Sequence, residues 1–139
     1  MAPESPSCAI LADRHPALAE GIRGLLETTF QTVYLVADTP SLREGASRLL
    51  PALIVLDMSL TGQDSSRMVQ EIGELSPATR VLVLTVHDEA TVARIALGAG
   101  AHGVVLKRCI GKDLMQAVDA VLQGDKYVSP DFGVSASMH

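Results

Sequence analysis

Asp13 and Arg14 follow the run C-A-I-L-A, Asp57 follows L-I-V-L, Thr85 closes V-L-V-L-T, and Lys107 follows G-V-V-L. Two carboxylates can bind a cation or act as nucleophiles, while an ammonium and a guanidinium offer charge to an anion. A hydroxyl can give or take a hydrogen bond. Such groups act together only if the fold carries them to one place. Otherwise each is a polar residue where a buried strand meets water, and I-L-A-D-R-H-P at 10–16 is no more than that.

The elements that would position them are legible as alternating units. Five stretches, C-A-I-L-A (8–12), V-Y-L-V-A (33–37), L-I-V-L (53–56), V-L-V-L-T (81–85) and G-V-V-L (103–106), are apolar without alternation, which predicts strands buried on both faces. The segments between them have helical spacing. Leu18, Ile22, Leu25 and Leu26 share a face in the first; Leu42, Ala46, Leu49 and Leu50 do in the second, after Pro40-Ser41. Met68, Val69, Ile72 and Leu75 mark the third, ahead of Pro77. The fourth, near 89–98, has Val92, Ala93 and Ala96 and ends at Gly98 and Gly100. In the last, about 112–123, Leu114, Ala117, Val118, Val121 and Leu122 form one stripe that stops at Gly124.

Strands alternating with helices predict an α/β fold, a doubly wound three-layer sandwich around a parallel sheet with right-handed crossovers. In such a fold ligands bind beyond the carboxyl ends of the strands. Asp13, Arg14, Asp57, Thr85 and Lys107 all stand at those ends.

Length and composition bound the rest. A chain of 139 residues, 47% apolar and 19% charged, suits one folded domain. The formal net charge of -5 and the lack of a basic run argue against a nucleic-acid or anionic-membrane surface. Cys8 and Cys109 have no metal or disulfide spacing, so a reducing cytosol is expected. The first residues lack the pattern of a signal peptide and no run approaches a membrane span, which predicts a soluble, cytoplasmic protein.

The stretches I-L-A-D-R-H-P-A-L-A-E-G, L-I-V-L-D-M-S-L-T-G, V-L-V-L-T and G-A-G-A-H-G-V-V-L-K resemble, in order and spacing, the receiver domain of two-component response regulators. The likeness is strongest to the NarL/FixJ (LuxR-type) transcriptional branch. It implies a flavodoxin-like, CheY-like sandwich with a five-stranded parallel sheet in the order 2-1-3-4-5. It also implies that Asp57 is the phosphoacceptor, attacking a phosphoryl group carried on a sensor histidine kinase. Lys107 would set an ammonium beside that carboxylate, and Thr85 would donate its hydroxyl to a phosphoryl oxygen. Asp13, Asp57 and the backbone carbonyl of Ser59 would hold Mg2+. His15 beside Asp13 suggests a metal ligand, but the family often carries His-Pro there without using it; His87, His102 and His139 share no ligand spacing with it.

The chain departs from the family at Arg14, where a second acid usually helps hold magnesium. A guanidinium has donors only and stays charged, so the metal loses a ligand and meets a like charge. At ~4 Å and an effective dielectric near 20, one such pair is worth about 4 kcal/mol. Two arrangements are open: Arg14 pairs with Asp57, giving a metal-independent or permanently set receiver, or Arg14 points to water and the two acids still bind magnesium weakly. Because Arg14 replaces a magnesium-binding acid, the alternative function is a phosphorylation-independent interaction or dimerisation module. Val104 stands where the family usually has an aromatic switch residue, and Thr61 replaces a common proline.

Other function classes fit less well. An aspartate-nucleophile phosphatase would need an acid two residues after Asp57, where Ser59 stands. A flavodoxin-type cofactor domain would need a Ser/Thr/Gly-rich phosphate loop and aromatics, but D-R-H-P-A is no such loop and aromatics are 3%. The expected domain is 1–128, with 129–139 as a frayed tail or the start of a linker to an output domain. Nothing there encodes a recognition helix, so this chain alone is not expected to bind DNA. Signalling is expected through homodimerisation and a changed surface around the fourth and fifth helices and the last strand.

Overall fold

The computed structural model describes residues 8–133. β1 (Cys8–Ala12), β2 (Thr32–Val36), β3 (Leu53–Asp57), β4 (Arg80–Thr85), β5 (Gly103–Leu106) and β6 (Tyr127–Val128) form one sheet in the order β2-β1-β3-β4-β5-β6. Every pairing is parallel. The helices are α1 (Pro16–Leu26), α2 (Thr39–Leu49), a single turn α3 (Met58–Thr61), α4 (Ser65–Leu75), α5 (Ala90–Gly98) and α6 (Ile110–Leu122). The doubly wound, CheY-like fold stands, with a sixth strand added beside the five anticipated. Two residues are too short for a strand to announce itself by pattern.

Side chains along each central strand alternate between two cores. Leu11, Val55, Leu84 and Val105 face one layer, where α1 (Ala19, Ile22, Leu26) and α6 (Leu114, Val118, Val121) close over them. Ile10, Leu56, Val83 and Val104 face the other, under α2 (Leu42, Ala46), α4 (Met68, Val69, Ile72) and α5 (Ala93, Ala96). With both faces covered, β3 is buried at every position. That is why its sequence shows no alternation.

β2 departs from this reading. It is an edge strand in which only Val33 is buried, and Tyr34 and Leu35 face water. In α1 the buried face is Ala19, Ile22 and Leu26, while Leu18 and Leu25 are exposed. A short alanine lets the helix lie closer to the sheet, and the leucines flank the contact. Leu49 and Leu50 of the second segment and Leu75 of the third are exposed likewise; Leu50 ends α2 with φ at 44°, in the left-handed region.

Beyond β6 the chain stays on the body. The Ser129 hydroxyl accepts the Leu106 N–H at 3.1 Å, and Phe132 packs against the second core. The segment 134–139, with His139 and most of the small-residue tail, lies outside the described residues. Among the described residues no helix is long and apolar enough to cross a membrane.

Gly103 is required by the crossing of β5 with its neighbours. A Cβ there would lie 2.6 Å from Leu82 Cδ2 and 3.2 Å from both Tyr127 O and Val121 Cγ1. Gly103→Ala is expected to destabilise the fold by about 1–3 kcal/mol in urea titration. Gly21→Ala, whose Cβ would meet nothing within 4 Å on the exposed face of α1, should stabilise it by about 0.5–1 kcal/mol. A tolerated Gly103→Ala would refute this packing.

Candidate functional site

Because all six strands run parallel, their carboxyl ends form one edge of the sheet, and the polar residues that follow them meet there. Asp57 ends β3, is 1% exposed and caps α3, its Oδ1 accepting the Ser59 N–H at 3.0 Å. Lys107 follows β5 and places Nζ 2.6 Å from Asp57 Oδ2. The ammonium is itself largely withdrawn from water, at 14% side-chain exposure, so the pair is charge-assisted in a dry setting.

Asp13 follows β1 with its side chain fully buried. Its Oδ1 accepts the His15 N–H at 2.9 Å and lies 3.2 Å from His15 Nδ1, whereas its Oδ2 is buried without any partner. One oxygen of Asp13, one of Asp57 and one ring nitrogen of His15 lie within 4.8 Å of one another. Thr85 ends β4, 1% exposed, with Oγ1 accepting the His87 N–H at 3.0 Å. With Asp57, Ser59, Gln63 and His87 it lines an open cleft of about 310 Å³ beside the Asp57 carboxylate.

The two carboxyls are driven apart electrostatically. Burial, and secondarily the Asp57 charge, raise the pKa of Asp13 despite the His15 N–H. For Asp57 burial is the largest single influence and acts upward, but the Lys107 hydrogen bond and charge with the Ser59 N–H together exceed it, leaving its pKa lowered. Asp57 is thereby held as the carboxylate, the form a nucleophile needs. For Asp13 these influences disfavour the charged form.

Arg14 is exposed and makes no hydrogen bond or ion pair among the described residues. The ion pair of Arg14 with Asp57 is therefore corrected: Lys107 already occupies Asp57 Oδ2, and Arg14 stands outside the buried cluster. Its charge is spread into water and screened. What remains in the dry cluster is two carboxylates against one ammonium. Thr61, for its part, joins the Ser65 hydroxyl at 2.6 Å and ties α3 to α4. Val104 is fully buried under α5, on the sheet face that also carries Thr85, and supplies no ring that could swing.

The structure brings Asp13, Asp57, Thr85 and Lys107 to one edge, as the sequence predicts, and adds His15, whose ring stands beside Asp13. The signal for His15 was its place two residues after Asp13, ahead of Pro16, which starts α1. His102 lies at the far edge, its Nδ1 accepting the Val81 N–H.

Residues 9–119 match the family model described as the response regulator receiver domain. The chain belongs to that family. This receiver is 29% identical over 134 residues to the nitrate/nitrite response regulator protein NarL of Escherichia coli, covering 93% of this chain and 61% of NarL. It superposes on a two-component response regulator of the LuxR family from Aurantimonas sp. SI85-9A1 with a TM-score of 0.85 and 30% identity, covering 96% of this chain and 97% of that one. The isolated REC domain of RcsB from Salmonella enterica, solved in the presence of the phosphomimetic BeF3-, gives 0.81 at 25% identity over 93% and 97%. The receiver is thus of the NarL/LuxR type. The chain spans between 52% and 61% of the length of the curated relatives DegU and NarL.

With no divalent cation present, Asp13→Asn is expected to stabilise the receiver by about 0.5–2 kcal/mol, since it removes a buried charge beside Asp57. Arg14→Ala should change stability by less than about 0.5 kcal/mol. Urea unfolding followed by circular dichroism checks both; a large loss from Arg14→Ala would restore the ion pair.

Proposed function

We propose that this receiver accepts a phosphoryl group on Asp57 from a sensor histidine kinase and passes the signal to transcription through an output domain outside this chain. The reading is carried by the Lys107 ammonium on Asp57 Oδ2 with Asp13 alongside. One Asp57 oxygen would form the new O–P bond as the P–N bond of the phosphohistidine breaks, the imidazole nitrogen keeping the bonding pair and taking up a proton. Its charge is held forward by Lys107, which is placed to follow the transferred oxygens.

Asp13, Asp57 and the Ser59 carbonyl are the residues that would hold Mg2+. The unpartnered Asp13 Oδ2 supports the fit, because a buried carboxylate oxygen without a donor is what a cation satisfies. When bound, the ion would neutralise charge on the phosphoryl oxygens.

Thr85 would report the event. Its hydroxyl, now accepting from the His87 N–H, would turn to donate to a phosphoryl oxygen, drawing on the β4–α5 loop. That loop and α5 expose Val86 at 67% and Ile95 at 60%, apolar surface suited to a homodimer. The change acts as a population shift of this surface and of α6 beside it. Arg14, lying outside the cluster, offers no support for a phosphorylation-independent module. The receiver itself would be a cytoplasmic signalling protein, not an enzyme, and would bind no nucleic acid alone.

Incubation with acetyl phosphate and MgCl2, followed by intact mass measurement, is expected to add one HPO3 unit to the wild type and none to Asp57→Asn. An unchanged wild-type mass, or a gain kept by Asp57→Asn, contradicts the assignment.

A further inference from the structure

We propose that His15 is a third protein ligand at the dication position between Asp13 and Asp57, supplying a nitrogen donor that favours first-row transition dications such as Co2+. The inference rests on the proposal that a dication sits between these two acids.

Three observations carry it. First, Asp13 is fully buried and its Oδ2 has no partner, so the cluster is short of positive charge or donors at that point. Lys107 does not fill the gap, because it is committed to Asp57 Oδ2. Second, the His15 ring is already in place. Its Nδ1 lies 3.2 Å from Asp13 Oδ1, and one atom from each of Asp13, His15 and Asp57 falls within 4.8 Å of the other two. Ligands bonded at roughly 2.1 Å to one ion are separated by about 3–4 Å, so small adjustments suffice. Third, the ring's side-chain contact is with the cluster itself, Nδ1 on Asp13 Oδ1 at 3.2 Å, a contact that an ion bound to both atoms would replace. His15 is the N-cap of α1, yet its side chain makes no capping bond, and its backbone N–H on Asp13 Oδ1 with Pro16 behind it fixes where the ring stands.

The chemistry of the donor set follows from Arg14. Its guanidinium has no lone pair and is exposed, so the hard oxygen that a carboxylate would contribute there is missing. A neutral imidazole with its proton on Nε2 presents Nδ1 as a borderline donor. Carboxylates suit Mg2+, whereas imidazole suits the later first-row dications. A site of two carboxylates and one imidazole is therefore less a magnesium site than one of carboxylates and carbonyls alone.

Calorimetric titration of Co2+ and of Mg2+ into the whole chain tests this with wild type, His15→Ala and Asp57→Ala. His15→Ala is expected to weaken Co2+ about tenfold or more and to leave Mg2+ unchanged, with a shift in the visible ligand-field spectrum of bound Co2+. Asp57→Ala should abolish both. Equal Co2+ affinity in wild type and His15→Ala overturns His15 as a ligand while leaving the dication position intact. Co2+ affinity retained by Asp57→Ala puts the ion elsewhere and defeats both proposals.

Discussion

Two carboxylates and one ammonium share a nearly waterless end of a parallel sheet, and this imbalance governs what the receiver can do. Asp57, 1% exposed, is kept ionised by Lys107 at 2.6 Å and the Ser59 N–H at 3.0 Å. Asp13 is as deeply placed but gets only the His15 N–H and Nδ1 on one oxygen. Burying a charge without full pairing is costly, and proteins retain such arrangements where they serve a reaction or a ligand. Under the proposed function, the excess negative charge would draw in a cation and the ionised Asp57 would act as the nucleophile.

The rest of the fold can be understood as what holds this imbalance in place. Parallel pairing sends Asp13, Asp57, Thr85 and Lys107 to one edge although 94 positions separate the first from the last in numbering (107 minus 13). Two cores, one under α1 and α6 and one under α2, α4 and α5, pack both faces of the strands that carry the carboxylates. The His87 N–H on Thr85 Oγ1 ties the end of β4 to the loop that leads into α5.

Much of this was legible in the sequence, for identifiable reasons. Apolar runs without alternation marked β1, β3, β4 and β5 because both their faces are buried. The same reasoning misjudged β2, since composition does not tell an edge strand from a central one: Tyr34 and Leu35 look like core and face water. In α1 apolar bulk does not mark the buried face, because the small Ala19 packs against the sheet with Ile22 and Leu26 while Leu18 and Leu25 stay exposed. At the site, residue types and spacing located the four groups. The direction of Arg14 was beyond them, because a long side chain at a strand end can turn inward or outward, and the Lys107 contact that settles it spans 50 residues. His15 was set aside on resemblance, although its relation to Asp13 was local.

The most direct measurement is a double-mutant cycle on Asp57→Asn and Lys107→Met, with unfolding free energies from urea titration in the absence of divalent cations. Loss of Lys107 should cost about 1–3 kcal/mol more with Asp57 present than in the Asp57→Asn background. Additive effects, within about 0.5 kcal/mol, would mean that the two groups do not share a dry cluster and would contradict the electrostatic basis of the pocket.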